Sequence, residues 1–287
     1  MRNAMTASRV IGLGLCLMVV ALSAQEKVEP ELSPEKKAAQ ARLDYMFDSC
    51  AGYTGKRKSD GAIIKIFPKP LLRWTNPNFG VRDGLFVAWV DEKKRPMAAG
   101  QVFLMPKSEN EWYIEQQSLC DDAMEFHSRS NSAWTPSEPG IQWRTFPAKR
   151  YKPARSKPLR LTQMRQLARR FRGQDDLVDK DDELRLMPNP MVRYEDLNNG
   201  ILDGALFALV QGTDPELLVQ IEVREEKAGA PEYWWAIAPM TSAKASAFLD
   251  DEQVYSKPRD LGSTNSVFYM RSLTGGVPFP EVGVSGE

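Results

Sequence analysis

The chain has 287 residues, with 38 basic and 38 acidic side chains and one histidine, so its formal net charge is zero. That balance gives no electrostatic reason to expect a nucleic-acid partner. A single histidine excludes a multi-histidine metal site, and the cysteines are too few for structural zinc. No nucleophile elbow, phosphate-binding glycine loop or zinc-protease signature occurs, so neither a cofactor nor a metal is expected.

Residues 1–24 have the parts of a secretory leader: Arg2 and Arg9 ahead of an apolar run from Val10 to Leu22, then small residues for cleavage near Ser23 or Ala24. The run is too short to span a bilayer core comfortably, and no later segment is long and apolar enough to cross a membrane. The expected mature chain is exported, periplasmic or secreted, with an unknown envelope or extracellular partner. An uncleaved N-terminal anchor is the rival reading. Export places Cys50 and Cys120 where oxidation is permitted, and leaves open a disulfide or two buried thiols.

Ser33-Pro34 is a helix start, a capping serine followed by the proline favoured in the first turn, and Ala39, Leu43, Met46, Phe47 and Cys50 then fall on one face. Its counterpart runs from Pro158 to about Arg172, with Leu161, Met164, Leu167, Ala168 and Phe171 as the apolar stripe. The correspondence is closest between Ile64 to Val90 and Leu184 to Val210, which share nine of 27 positions without a gap. Average composition would give roughly one or two. Pro68/Pro188, Arg73/Arg193, Gly80/Gly200, Asp83/Asp203 and Gly84/Gly204 are among the identities. Downstream, an offset of 122 places Trp112 with Trp234 and Tyr113 with Trp235, and sets Ile237 in the place of Glu115.

Within each copy, "AIIKIF" or "ELRLM" reads as a short strand ended by Pro-x-Pro, followed by the buried strand "DGLFVAWV" or "DGALFALV". "MAAGQVFLM" and "LLVQIEV" come next, the latter half-buried through Val219, Ile221 and Val223, and then the aromatic strands at Trp112 and Trp234. A short helix near Ala243 to Leu249 and weak strands at Ile141 to Phe146 and Val267 to Arg271 complete the units. The expected class is α+β: a tandem, pseudo-twofold pair of units at 25–148 and 149–275, each a long helix on an antiparallel meander of about four to six strands, with a flexible tail at 276–287.

Several residues are candidates for chemistry. Arg73 with Asp83, and Arg193 with Asp203, have the composition of a charged-ligand site, against a reading in which Asp-Gly turns the chain with a positive φ and the arginine pairs with its own aspartate. Trp112, Tyr113, Trp234 and Trp235 form either stacking platforms or core, since neighbours on a strand point to opposite faces. Glu115 with Asp121 is a glycosidase-like pair present in one copy only, and Cys120 with His127 is a nucleophile pair that nothing in the sequence orders.

Ten basic residues and no acid lie between Lys149 and Arg172. Among them Arg165, Arg169, Arg170 and Arg172 are candidates for an anionic partner, unless the following acidic loop, Asp175 to Glu183, neutralises them. That loop alternates Asp179, Asp181 and Glu183 but lacks the glycine at position six and glutamate at position twelve of a calcium-binding EF-hand loop.

The segments "PLLRW", "GVRDGLFVAWV", "WYIEQQSL", "RLTQMRQLARRF", "LRLMPNPMVRYE" and "DGALFALVQGTDPELLVQIEVR" resemble a family of exported proteins of planctomycete-type bacteria whose function is unknown. The resemblance implies a secreted or envelope protein and no activity. The functional expectation is a non-enzymatic binding or assembly module of the cell envelope. The alternative is an envelope hydrolase of a glycan, ester or peptide.

Overall fold

The computed structural model describes residues 33–129, 132–147, 150–225 and 229–278, so the expected leader and the end of the expected tail lie outside the described residues. The chain runs α1 (Pro34–Ala51), β1 (Tyr53–Arg57), β2 (Ile63–Ile66), β3 (Leu72–Asn76), β4 (Val81–Val90), β5 (Pro96–Leu104), β6 (Trp112–Ser118), β7 (Met124–Ser128), β8 (Ala133–Trp134) and β9 (Arg144–Thr145). It continues α2 (Lys157–Ala168), β10 (Phe171–Asp175), β11 (Asp182–Leu186), β12 (Val192–Asp196), β13 (Ile201–Gln211), β14 (Asp214–Arg224), β15 (Glu232–Pro239), β16 (Ala245–Leu249), β17 (Glu252–Lys257) and β18 (Phe268–Leu273).

This corrects the expected α+β class. The protein is mostly β, 47% strand and 14% helix, built from two curled nine-stranded sheets rather than from helix-on-sheet units. Helical periodicity in the sequence was easy to see, whereas short strands of mixed polarity such as β1, β7, β10 and β17 carry no clear alternation. Two helical expectations fail in detail. α2 stops at Ala168, and Phe171 begins a strand. Ala245 to Leu249 is a strand as well, with the small side chains of Ala245 and Ala247 buried on one face.

One sheet has the order β18-β6-β5-β4-β2-β1-β7-β8 and the other β17-β16-β10-β11-β13-β14-β15-β9, with β3 added to β4 and β12 to β13. Their registers correspond: Trp74 faces Gly84 as Tyr194 faces Gly204, and both β3 and β12 shift register at the same point. Each sheet takes its last strand from the other part of the chain, β18 on β6 and β9 on β15.

Alternation explains why residues 85–90 of β4 and 205–210 of β13 are apolar throughout. Leu85, Val87 and Trp89 face the core beneath α1, and Ala205, Phe207 and Leu209 face the core beneath α2. Phe86, Leu206, Ala208 and Val210 point the other way, into a third core between the sheets. Both faces of these strands are therefore buried.

The Asp-Gly pairs are not turns. Gly84 and Gly204 sit inside strands, and the positive φ belongs to Gly80 (92°) and Gly200 (73°). Glycine is needed at 84 and 204 because an aromatic ring lies on it: an added Cβ would come 2.4 Å from Trp74 Cε2 or Tyr194 Cε2. Asp83 and Asp203 each join three elements. Asp83 accepts from Arg73 and from Arg42 of α1, and Asp203 from Arg193 and from Arg160 of α2.

Two stability predictions follow from these contacts. Gly84→Ala and Gly204→Ala should each cost about 1–3 kcal/mol by overpacking, while Gly229→Ala, where the added carbon meets nothing within 4 Å, is neutral in the same urea melts. Asp203→Ala strands the buried Arg160 guanidinium and should cost about 3–5 kcal/mol. Removing the half-exposed Arg193 should cost less.

Candidate functional site

The two sheets meet through a layer that is not wholly apolar. Gln101 of β5 donates through Nε2 to the carbonyls of Pro215 (2.9 Å) and Met240 (3.0 Å), and Asn76 of β3 donates to Gln211 (3.0 Å) and to Asp214 Oδ2 (3.3 Å). Beside these bonds lies a cavity of about 220 Å³. Its apolar wall includes Phe79, Phe103, Met105, Met240 and Met270, and its polar wall holds Glu115 from one sheet and Asp214 and Glu216 from the other.

A β-bulge aims Glu216. Leu209 pairs with Leu217 and Val210 with Pro215, so Glu216 is the extra residue and its side chain turns between the sheets. The first sheet has the same bulge with Met97 as the extra residue, and there the side chain joins the core beneath α1. Glu115 and Gln101 are cross-strand partners on the face opposite Ile114 and Val102.

All three acids are buried, and neither Asp214 Oδ1 nor Glu216 Oε1 has a hydrogen-bond partner. Burial pushes the Glu115 carboxyl well above the usual range, and the Asp214 charge adds to it. Burial likewise raises Glu216, helped by Asp214 and Asp175. Asp214 is pushed up to about 8 and its neighbour Asp175 to about 6, burial being the main cause in both. Burial thus favours the neutral form of all three carboxyls, and Asp214 in particular keeps its proton at neutral pH. Among the described residues, no group of three or more His, Cys, Asp or Glu is placed to hold a metal ion.

Another buried acid, Glu222, lies outside this cluster and is paired. Arg95 reaches it from the other sheet at 2.8 Å, Arg224 donates at 2.6 Å and the Tyr194 hydroxyl at 2.7 Å. Trp143 covers both guanidiniums, 5.5 Å from Arg95 and 4.0 Å from Arg224. Burial opposes the charge on Arg95, but Glu222, Tyr194 and Asp121 outweigh it and raise its pKa.

The residues singled out from sequence are scattered. Arg73 and Asp83 pair with each other, as do Arg193 and Asp203, and the latter pair lines an open depression with Lys157 and Glu195. Trp112 is core, edge-on to Tyr45, with its indole N–H donating to the Val277 carbonyl. Trp235 packs on Phe171. Tyr113 stacks on Phe103, and the partly exposed Trp234 lies against Arg224. Strand register moves the aromatic correspondence by one residue: Tyr113 and Trp234 are the matched pair, and Ala236, not Ile237, stands opposite Gln220 as Glu115 does opposite Gln101.

Glu115 and Asp121 do not form a pair, because Asp121 lies at Arg95 (3.7 Å) and Glu115 in the cavity. Cys50 and Cys120 are both free thiols buried in the core beneath α1, the second of the two arrangements the sequence leaves open. Burial raises both, Cys120 to about 11. His127 is on the surface beside Glu125, away from that core. Arg170 pairs with Asp250, Arg172 with Glu183 and Asp251, and Arg165 bonds Asn189, so much of the basic segment is answered locally while Arg169 stays exposed. Lys149 lies outside the described residues.

No protein-family model, curated protein or solved structure matches the chain.

Because the folded state keeps protons on these acids that an unfolded chain releases near pH 4, stability should fall as pH rises toward about 8, where Asp214 ionises. Asp214→Asn should remove that liability. Its melting temperature relative to the unchanged protein should rise between pH 5 and pH 8, and a pH-independent difference would show Asp214 ionised throughout.

Proposed function

We propose that the protein is an exported, non-enzymatic binding module for a small molecule, with the acid-lined cavity between the sheets as its site. The convergence of Glu115, Asp214 and Glu216 from both sheets on one cavity carries this reading. Buried carboxyl oxygens without partners are costly in an apolar setting, and a ligand that supplies donors offsets that cost. The cavity is smaller than the roughly 300–1,000 Å³ of sites for drug-sized ligands, which favours a compact molecule. The leader-like N-terminus and the resemblance to an exported family support the address.

Hydrolysis fits the cavity less well. A carboxyl pair that cleaves a glycoside needs one member protonated and the other ionised. Burial drives Glu115, Asp214 and Glu216 in the same direction, and no cation donates to any of them. The experiment is a thermal-shift screen of the purified mature chain against compact polar and amphipathic molecules, beside turnover assays on glycan, ester and peptide substrates. Compounds that raise the melting temperature, by about 2.7 kcal/mol of stabilisation at one hundred times the dissociation constant, support the binding module. Turnover abolished by Glu115→Gln overturns it.

A further inference from the structure

The cavity and the Arg95–Glu222 pair occupy register-equivalent places in the two sheets. Arg95 and Asp214 each precede the proline that faces the end of the long central strand, Pro96 opposite Val90 and Pro215 opposite Val210. Glu222 and Phe103 are likewise equivalent, each opposite the glycine under the aromatic ring, Gly204 and Gly84. Trp143 and Met270 are equivalent too, each preceding an arginine on the exchanged strand, Arg144 opposite Trp235 and Arg271 opposite Ile114.

At one of these places the chain supplies its own cation to a buried acid, with an aromatic ring over it. At the other, the cation's position holds Asp214, the acid's position holds Phe103, and the indole is replaced by the flexible Met270. Two further acids, Glu115 and Glu216, face the resulting cavity. We propose that the ligand of this cavity is a small organic cation, an amine on a compact apolar body, whose ammonium takes the role beside Asp214, Glu216 and Glu115 that Arg95 takes beside Glu222. This rests on the binding reading above and names the class of its ligand.

Among the described residues neither nearby cation donates to the three acids, although the Lys257 charge acts on Glu115 and Glu216 and Arg259 lines the cavity wall. Lys257 donates to the carbonyls of Thr241 (2.7 Å) and Ala243 (3.1 Å), and Arg259 to that of Asp176 (2.9 Å) at the exposed rim. Phe79, Phe103, Met105 and Met270 offer rings and thioethers to the apolar body, and the aromatic faces also favour a cation.

The charged groups around the ammonium are Glu115, Asp175, Asp214 and Glu216, with Lys257 and Arg259 as the cations. Asp176, Asp182 and Asp260 stand further out. As the ammonium enters, one carboxyl of the cluster gives its proton to solvent and becomes the counter-ion, so binding releases about one proton at pH 6.5. Apparent affinity rises with pH until Asp214 ionises, near pH 8.

The test is titration calorimetry on the mature chain with benzylamine, phenethylamine and cyclohexylamine, each beside its alcohol and carboxylate isostere. Two buffers of different ionisation enthalpy count the proton released. The amines should bind about tenfold or more tighter than the alcohols, the margin of a charge-assisted hydrogen bond over a neutral one, and Asp214→Asn or Glu216→Gln should remove that margin. Met270→Trp, which imports the ring of Trp143 without touching an acid, should block all binding, and serves if an acid variant fails to fold. Alcohols that bind as well as the amines overturn the cation and leave the binding module standing. Amine binding untouched by all three variants overturns this cavity as the site. No binding by any of the three chemistries, with no hit in the thermal screen, overturns both.

Discussion

A carboxylate sealed between two sheets must be matched or neutralised, and the sheet interface of this protein is organised by that constraint. Glu222 is matched: Arg95 crosses from the opposite sheet, Tyr194 donates its hydroxyl, and Trp143 shields the guanidiniums. Such a pair adds little stability over a well-packed apolar alternative, but breaking it is expensive, so it fixes how the sheets sit together. The hydrogen bonds of Gln101 and Asn76 to the facing sheet act in the same way, since each satisfies a buried group only at one relative placement. The exchanged strands β18 and β9 add a topological tie, because neither sheet is complete without chain from the other part.

Within that frame the arginine-aspartate triads do a separate job. Asp83 and Asp203 sit at the entrance to the long central strands, and each takes one arginine from the adjacent edge strand and one from a helix. The helices contribute few buried side chains of their own, Met46 and Cys50 in α1, and Met164, Leu167 and Ala168 in α2. The buried guanidiniums of Arg42 and Arg160 therefore orient the helices where apolar contact alone would permit sliding.

Parts of this were legible in the sequence. Arg73 with Asp83 and Arg193 with Asp203 were readable as pairs because both members recur together, and the long apolar runs of β4 and β13 announce strands covered on both faces. The helical arginines were not, because a lone basic residue on a helix reads as solvent-facing until the tertiary partner is known. Glu115 is legible only as half of a glycosidase-like pair with Asp121, which the structure separates. Asp214 and Glu216 are hidden in "GTDPE", whose composition is that of a turn, although β14 already begins at Asp214; the clean alternation of "LLVQIEV" likewise assigns Gln220 and Glu222 to water, and that face is covered by the second sheet. The usable signal was the combination of an apolar strand neighbour, β13, buried on both sides with acids in β14, since a strand beside a two-sided core seldom exposes its other face. Short strands such as β1 and β10 left no signal because edge-facing and helix-facing residues mix within five positions.

The correspondence between the sheets also shows where function is to be sought. Residues that hold the scaffold are the same in both: the glycine under an aromatic ring, the aspartate with two arginines, the bulge before the central turn. Residues that face between the sheets differ in charge, Arg95 against Asp214 and Glu115 against Ala236, and the bulge residue Glu216 turns into the interface where its counterpart Met97 joins the core beneath α1. A surface selected only for packing would drift toward apolar side chains at such buried positions, because each uncompensated acid there costs free energy. Three acids gathered at one end of the interface, opposite an end where the chain supplies its own cation, are therefore better explained by something they receive than by what they do for the fold.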